Sequence, residues 1–351
     1  MLNAERVEKA EKDTSIEALR GLACVLLVMA HVIGENAAGG LRVPGDSIFR
    51  WYVDSFAYIR MPLFTFISGY VYAMRPLTAI ENWPAFLKGK TRRLLLPMFV
   101  VGTFLAVLQS YGPGVNEPLK TPWYLWNIVP ISPFWFIWSI FWVFAVVTLI
   151  DTIDDVRKRT ALLVVTGIAL ACANALLPAS AMNIVGWRTF FYLGPFFIAG
   201  LLASRLSWRM ARRLWQLLVV VLLVPFLIVT QLGILGVIEF VPPRESLLAT
   251  ITGVLGCLAL LLTRWKWRPA AFVGKYSFTI YLFHVPAAVA LRVLLSKAGV
   301  DQLAVVVAIC TVAGIAVPIL IEMGCRKNRW TSLLILGQRL RPRGREGAVD
   351  R

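Results

Sequence analysis

An arginine and a histidine stand eleven residues apart on one uninterrupted apolar stretch, Arg20-Gly-Leu-Ala-Cys-Val-Leu-Leu-Val-Met-Ala-His31. At about 100° per helical residue that separation is three turns plus about 20°, so both side chains lie on nearly the same face. At a ~1.5 Å rise they are roughly 16 Å apart along the axis. An imidazole can take a proton near neutral pH, and a guanidinium pairs well with phosphate. Together they suit a reaction in which a phosphorylated donor, held at one end of the helix, reaches a base deeper along it. The plainer reading has Arg20 reaching lipid headgroups and His31 hydrogen-bonded to a neighbouring helix. Glu17, one turn before Arg20, is placed to orient the guanidinium.

A second basic cluster lies in Phe86-Leu-Lys88-Gly-Lys90-Thr-Arg92-Arg93-Leu-Leu-Leu-Pro97. Lys90 and Arg93, three apart, share a helical face and could hold a phosphorylated donor, or the cluster could simply flank a span and bind anionic lipid. Further along, Tyr281 and His284 share a face, either as structural hydrogen-bonding groups or as polar groups of a cavity. Arg60 and Arg188 fall near helix ends, where a sugar or its anionic groups could arrive or where the side chains could reach the surface. Trp135, Trp138 and Trp142 line one face, as packing residues or, for Trp135, as a stacking platform. Ser68-Gly69 permits close helix approach. The five cysteines show no paired spacing and only two histidines exist, so neither a disulfide framework nor a metal site is expected.

These residues must be positioned by helices that cross a membrane. Of 351 residues 58% are hydrophobic and only 16% charged, with mean hydropathy +0.72. Apolar runs of about 18–24 residues match a bilayer core, and they lack a barrel's alternation. The expected fold is all-α and polytopic, with ten spans near 17–34, 52–74, 94–111, 132–150, 161–177, 187–203, 214–232, 246–263, 272–295 and 302–322. An even number puts both termini on one side. Sorting the 36 Lys and Arg by side places 28 with the termini and eight opposite, which predicts cytoplasmic termini under the positive-inside rule. The net charge of +17 then needs no nucleic acid. Ten tryptophans, Trp51 and Trp265 among them, fall near span ends, as an interfacial belt does. The expected division is a cytoplasmic segment 1–16, one membrane domain 17–322 and a basic cytoplasmic tail 323–351. Arg6, Lys9 and Lys12 before an apolar stretch, with Ala37-Ala38 after it, could signal cleavage, but acidic residues at the start and the length of the stretch favour an uncleaved first helix.

Five phrases, in order, resemble the acyltransferase-3 family of bacterial integral membrane acyltransferases. "IEALRGLACVLLVMAH" is similar to that family's Arg-x10-His element, at Arg20 and His31, and "MPLFTFISGYVYA" to its second-helix phrase ending in Ser-Gly. "FLKGKTRRLLLP" resembles the basic start of its third helix, "PFWFIWSIF" its Trp-Phe element, and "GKYSFTIYLFHVP" its late Tyr/His helix. Gly89 interrupts a Lys/Arg run that the family commonly shows denser, so which basic residue of 88–93 meets the donor stays open. The resemblance implies transfer of an acyl group, acetyl or alternatively succinyl, from cytoplasmic acyl-CoA to a hydroxyl of an extracytoplasmic or lipid-linked glycan. It implies His31 as base, Arg20, Lys90 and Arg93 under the CoA phosphates, a multi-pass protein of the bacterial inner membrane, and association with polysaccharide synthesis machinery. The competing class is a transporter or flippase, in which the same buried groups would form a proton or substrate path. Flippases tend to show inverted repeats, and no such symmetry is evident in the sequence.

Overall fold

The computed structural model describes residues 14–36, 39–112, 115, 118–178 and 180–340. The expected N-terminal segment up to 13, Ala37-Ala38 and the basic positions beyond 340 lie outside the described residues. Among those described there are helices and no strands. They are α1 (Thr14–Ile33), α2 (Ile48–Ser55), α3 (Arg60–Ala73), α4 (Trp83–Lys90), α5 (Leu96–Tyr111), α6 (Trp135–Ile150) and α7 (Val156–Leu176). There follow α8 (Trp187–Arg205), α9 (Arg213–Ile234), α10 (Leu247–Leu262), α11 (Arg268–Lys275), α12 (Ser277–Lys297), α13 (Leu303–Cys325) and α14 (Arg329–Leu334). Among the described residues seven stretches are both long and apolar enough to cross a bilayer, and α6 and α10 are shorter apolar helices of 16 residues each. The protein is a polytopic helical membrane protein.

Three expected spans differ in detail. The run 52–74 is broken after Ser55, and α3 starts only at Arg60, giving 14 residues or about 21 Å. The break lets polar groups find partners at one end of the bundle. Arg50 donates to the carbonyls of Gly34 and Asn36, at 2.6 and 3.0 Å, and the Tyr58 hydroxyl donates to the Pro242 carbonyl. The run 94–111 is the later part of a longer helix that begins at Ile80 and passes through a π turn over Thr91–Leu95. Pro97 follows at once. It has no N–H to give the preceding turn, and the ladder slips where that donor is missing. The run 272–295 is divided at Tyr276 into α11 and α12.

Glycines let the central helices touch backbone to backbone. A Cβ on Gly69 would lie 2.0 Å from the Phe197 carbonyl oxygen, and one on Gly200 1.9 Å from that of Phe66, so α3 and α8 meet at a reciprocal contact. The pair Gly21 and Gly274 does the same for α1 and α11, at 1.9 Å from the Ala270 oxygen and 2.0 Å from that of Glu17. Enclosed in this way, α1 is 67% buried across its apolar window, against 17% for α7 and 22% for α9. Leu214, Leu217, Val221 and Ile228 of α9 face outward instead, where lipid covers them.

Polar contacts gather at two opposite ends. At one, Asp151 is fully buried between Arg205 (2.6 Å) and the Tyr72 hydroxyl (2.8 Å), Arg209 donates to Ser15 (2.9 Å), and Arg92 donates to the Gly337 carbonyl (3.0 Å). At the other, Trp51 donates to Gln231 (2.9 Å) and Arg292 to the Gly40 carbonyl (2.7 Å). The close contacts yield a stability prediction. Gly200→Ala should cost about 1–3 kcal/mol through overpacking against Phe66, whereas Gly89→Ala, with open space around it, should not destabilise. The fraction of monodisperse protein left after heating in detergent measures both, and equal survival of the two variants would refute the contact.

Candidate active site

His31 lies in the last turn of α1, half-buried, with Nδ1 3.0 Å from the Leu27 carbonyl oxygen one turn back. A carbonyl only accepts, so Nδ1 carries the hydrogen and Nε2 keeps its lone pair; the tautomer is assigned from this geometry. Nε2 makes no hydrogen bond among the described residues. His284 of α12 repeats the arrangement, its Nδ1 2.9 Å from both the Ile280 and Tyr281 oxygens and its Nε2 buried without a partner. The two rings meet edge to face with centroids 4.9 Å apart. One residue set widely separated in sequence thus forms a pair of imidazoles, each presenting an acceptor nitrogen.

Aromatic side chains enclose this pair. The Tyr281 ring lies 6.2 Å from His284 and 5.3 Å from Phe136, and its hydroxyl donates to the Pro133 carbonyl. Trp135 packs 6.4 Å from the Tyr192 ring, while Trp138 and Trp142 donate their N–H groups to the Asn127 and Val185 carbonyls. Trp138 and Trp142 are thus fastened by their N–H groups, while Trp135 and Trp138 both pack against the apolar cluster that contains Tyr281.

Beyond the end of α1, one turn past His31, Glu35 gathers the outer arginines. Arg60, 2% exposed, donates to Glu35 at 2.9 Å, and Arg244 approaches the same carboxylate at 3.9 Å. The neighbouring Glu245 stands 3.7 Å from Arg188, so the chain of charges runs from α1 through α3 and the 242–245 loop to α8. Burial alone would push the Glu35 carboxyl up, but the cationic groups facing it, the Arg60 and Arg244 guanidiniums among them, outweigh it and hold the carboxyl below its ordinary value. A carboxyl lowered on folding contributes stability above its unfolded value and loses it only as pH falls through the lowered one.

At the opposite end, Arg20 forms two 3.0 Å hydrogen bonds with Glu17 and keeps 24% of its side chain exposed. The basic cluster divides. The Lys90 ammonium sits 3.2 Å above the centre of the Phe144 ring and 5.2 Å from that of Phe86, a cation–π contact, while Arg93 is exposed and makes no hydrogen bond or ion pair among the described residues. A π turn over Thr91–Leu95 begins directly after Lys90 and contains Arg93. Leu27 of α1 belongs to the same apolar cluster as Leu95 of the π turn and Met98 of α5.

Of the residues singled out in the sequence, His31, His284 and Tyr281 come together, with Arg60 close by through Glu35. Arg188 is linked to them only by the charge chain, and Arg20, Lys90 and Arg93 lie towards the other end. Glu35, Arg244, Tyr192 and Arg292 were missed. Glu35 could have been found, since i to i+4 from His31 is a helical neighbour. Arg244 sits in a loop whose return to α1 no local spacing encodes. A double-mutant cycle over Glu35→Gln and Arg60→Met should give a coupling of about 1–3 kcal/mol, unchanged between pH 8 and pH 6 because the carboxyl stays ionised throughout. Additive effects, or a coupling that fades by pH 6, would remove the pair.

A family model for the acyltransferase domain named acyltransferase 3 matches residues 13–323, from the start of α1 almost to the end of α13. No curated protein and no solved structure matches the chain. The match takes in both histidines, the basic turn before α5 and the whole outer charge network, and on that extent the chain belongs to the acyltransferase-3 family.

Proposed function

We propose that the protein moves an acyl group from cytoplasmic acyl-CoA to a hydroxyl of an extracytoplasmic or lipid-linked glycan, with His31 as general base. The observation that carries this reading is the fixed tautomer of His31, whose acceptor Nε2 shares a helix with Arg20 some 16 Å away at ~1.5 Å per residue. In this reading α2 with α3, α4 with α5, and α11 with α12 each make one crossing, giving ten, and the end holding Asp151 and Arg20 faces the cytoplasm. The excess of Lys and Arg at that end supports the orientation.

The CoA phosphates lie against Arg20 and the exposed Arg93, and Lys90, held by two rings, adds positive potential there. The pantetheine arm passes beside α1 to the level of His31. The acceptor hydroxyl oxygen attacks the thioester carbonyl while Nε2 of His31 takes its proton. The carbon–oxygen bond forms, the carbon–sulfur bond breaks, and the same proton passes to the departing CoA thiolate. The outer arginines Arg60, Arg188 and Arg244 favour an acceptor with anionic groups.

The test uses purified protein in nanodiscs with acetyl-CoA and an envelope polysaccharide extract, following free thiol. His31→Ala should lower turnover by about 10²–10⁴-fold, the span usual for a lost general base, with acyl-CoA binding retained. Arg20→Ala should raise the acyl-CoA Kd or KM by about tenfold or more, one charge-assisted contact at about 1.5–3 kcal/mol, with a smaller effect on turnover. Glycan movement across vesicles with no thiol released would make the protein a flippase.

A further inference from the structure

Next to His31 is a cavity of about 30 Å³ on the side of α1 facing α12 and α13, away from Glu35 and Arg60. His284, Ala288 and Arg292 succeed one another at i, i+4 and i+8 on α12, which orders the cavity along the helix. Its inner end is the His31 ring, its walls are Val285, Ala288, Val289 and Leu41, and its far end is Arg292, whose guanidinium is fastened to the Gly40 carbonyl at 2.7 Å. Resting on the function proposed above, we propose that this cavity receives the acyl tail of the donor thioester and limits the enzyme to acyl groups of two or three carbons.

Chemistry and size both lead there. The walls are aliphatic, so a sugar placed in the cavity would leave hydroxyls without partners, at about 1–3 kcal/mol each. An alkyl group loses nothing in such a site and gains by leaving water. A cavity needs about 10–15 Å³ by this measure to hold one water-sized body, so 30 Å³ has room for about two. The methyl of acetyl or the ethyl of propionyl fits. The three carbons and two oxygens that succinyl carries beyond its carbonyl do not, unless the wall moves. The direction also agrees. With CoA at the Arg20 end and the carbonyl level with His31, the tail continues outward along α12, while the acceptor approaches from the Glu35 and Arg60 side.

The experiment is a competition in one vessel, which makes the result independent of how much protein is folded. Membrane vesicles carrying the full chain and an envelope polysaccharide extract receive equimolar acetyl-, propionyl-, butyryl- and succinyl-CoA, and alkali-released acids are identified by mass spectrometry. Wild type should transfer acetyl and propionyl over butyryl by about tenfold or more, the discrimination one methylene supports, and succinyl least. Val289→Ala should bring butyryl within a fewfold of acetyl, and Ala288→Val should depress propionyl relative to acetyl. Succinyl or butyryl transfer equal to acetyl by wild type, or ratios unmoved in both variants, would overturn the acyl pocket alone. No ester from any donor, with wild type monodisperse on extraction, would overturn the acyltransfer reading itself.

Discussion

A polar side chain carried into a bilayer has to find its hydrogen-bonding partner on its own helix or on a neighbour, because lipid supplies none. His31 meets this constraint within α1, by turning Nδ1 back to the Leu27 carbonyl. The solution needs no charged neighbour and leaves the other nitrogen as an acceptor. Much else follows from it. His284 adopts the same internal solution on α12, so two imidazoles can meet edge to face with neither satisfying the other. A hydrogen bond between the two Nε2 atoms would have needed a proton on one and taken the lone pair of the other, leaving neither as a free acceptor.

A histidine fixed on a helix is only as well placed as the helix. α1 is held through backbone contact at Gly21 and Gly274, where any Cβ would collide with a carbonyl on the opposite helix. This contact lies near Arg20, whereas the outer end of α1 is secured by the ion pair between Glu35 and Arg60. The two fastenings are of different kinds. Steric contact against α11 fixes height and rotation within the apolar layer, where charges are costly. The ion pair closes the end that emerges from it, where Glu35 keeps 42% of its side chain exposed and the charge is affordable. The spacing between Arg20 and His31 is therefore set between two anchors, as preorganisation for a long two-ended donor requires.

What is local was legible: hydropathy alone placed Arg20 and His31 on one helix, Thr14–Ile33. The pairing of His31 with His284 was not legible, because 253 positions separate them and nothing in either segment encodes the other. The breaks before Arg60 and at Tyr276 escaped for a related reason. Hydropathy averages over a window, and both breaks lie inside apolar runs; the first lies among groups whose partners are elsewhere in the chain, Gly34, Asn36 and Pro242. The π turn after Lys90 escaped because regular helical spacing was assumed across a segment that Pro97 distorts.

The two sides of the outer end of α1 differ in a way that bears on how a transferase avoids hydrolysing its donor. Towards α3 and α8 the surroundings are arginine and glutamate, fit for a hydrated, hydroxyl-bearing molecule. Towards α12 and α13 they are valine, alanine and leucine around a small cavity, with Arg292 drawn to the Gly40 carbonyl at its far end. Few groups on that side can hold water, whereas the polar side, from which the proposed acceptor approaches, can. In the proposed transfer a bound acceptor takes the place that water would otherwise hold, and α1 keeps the two sides apart.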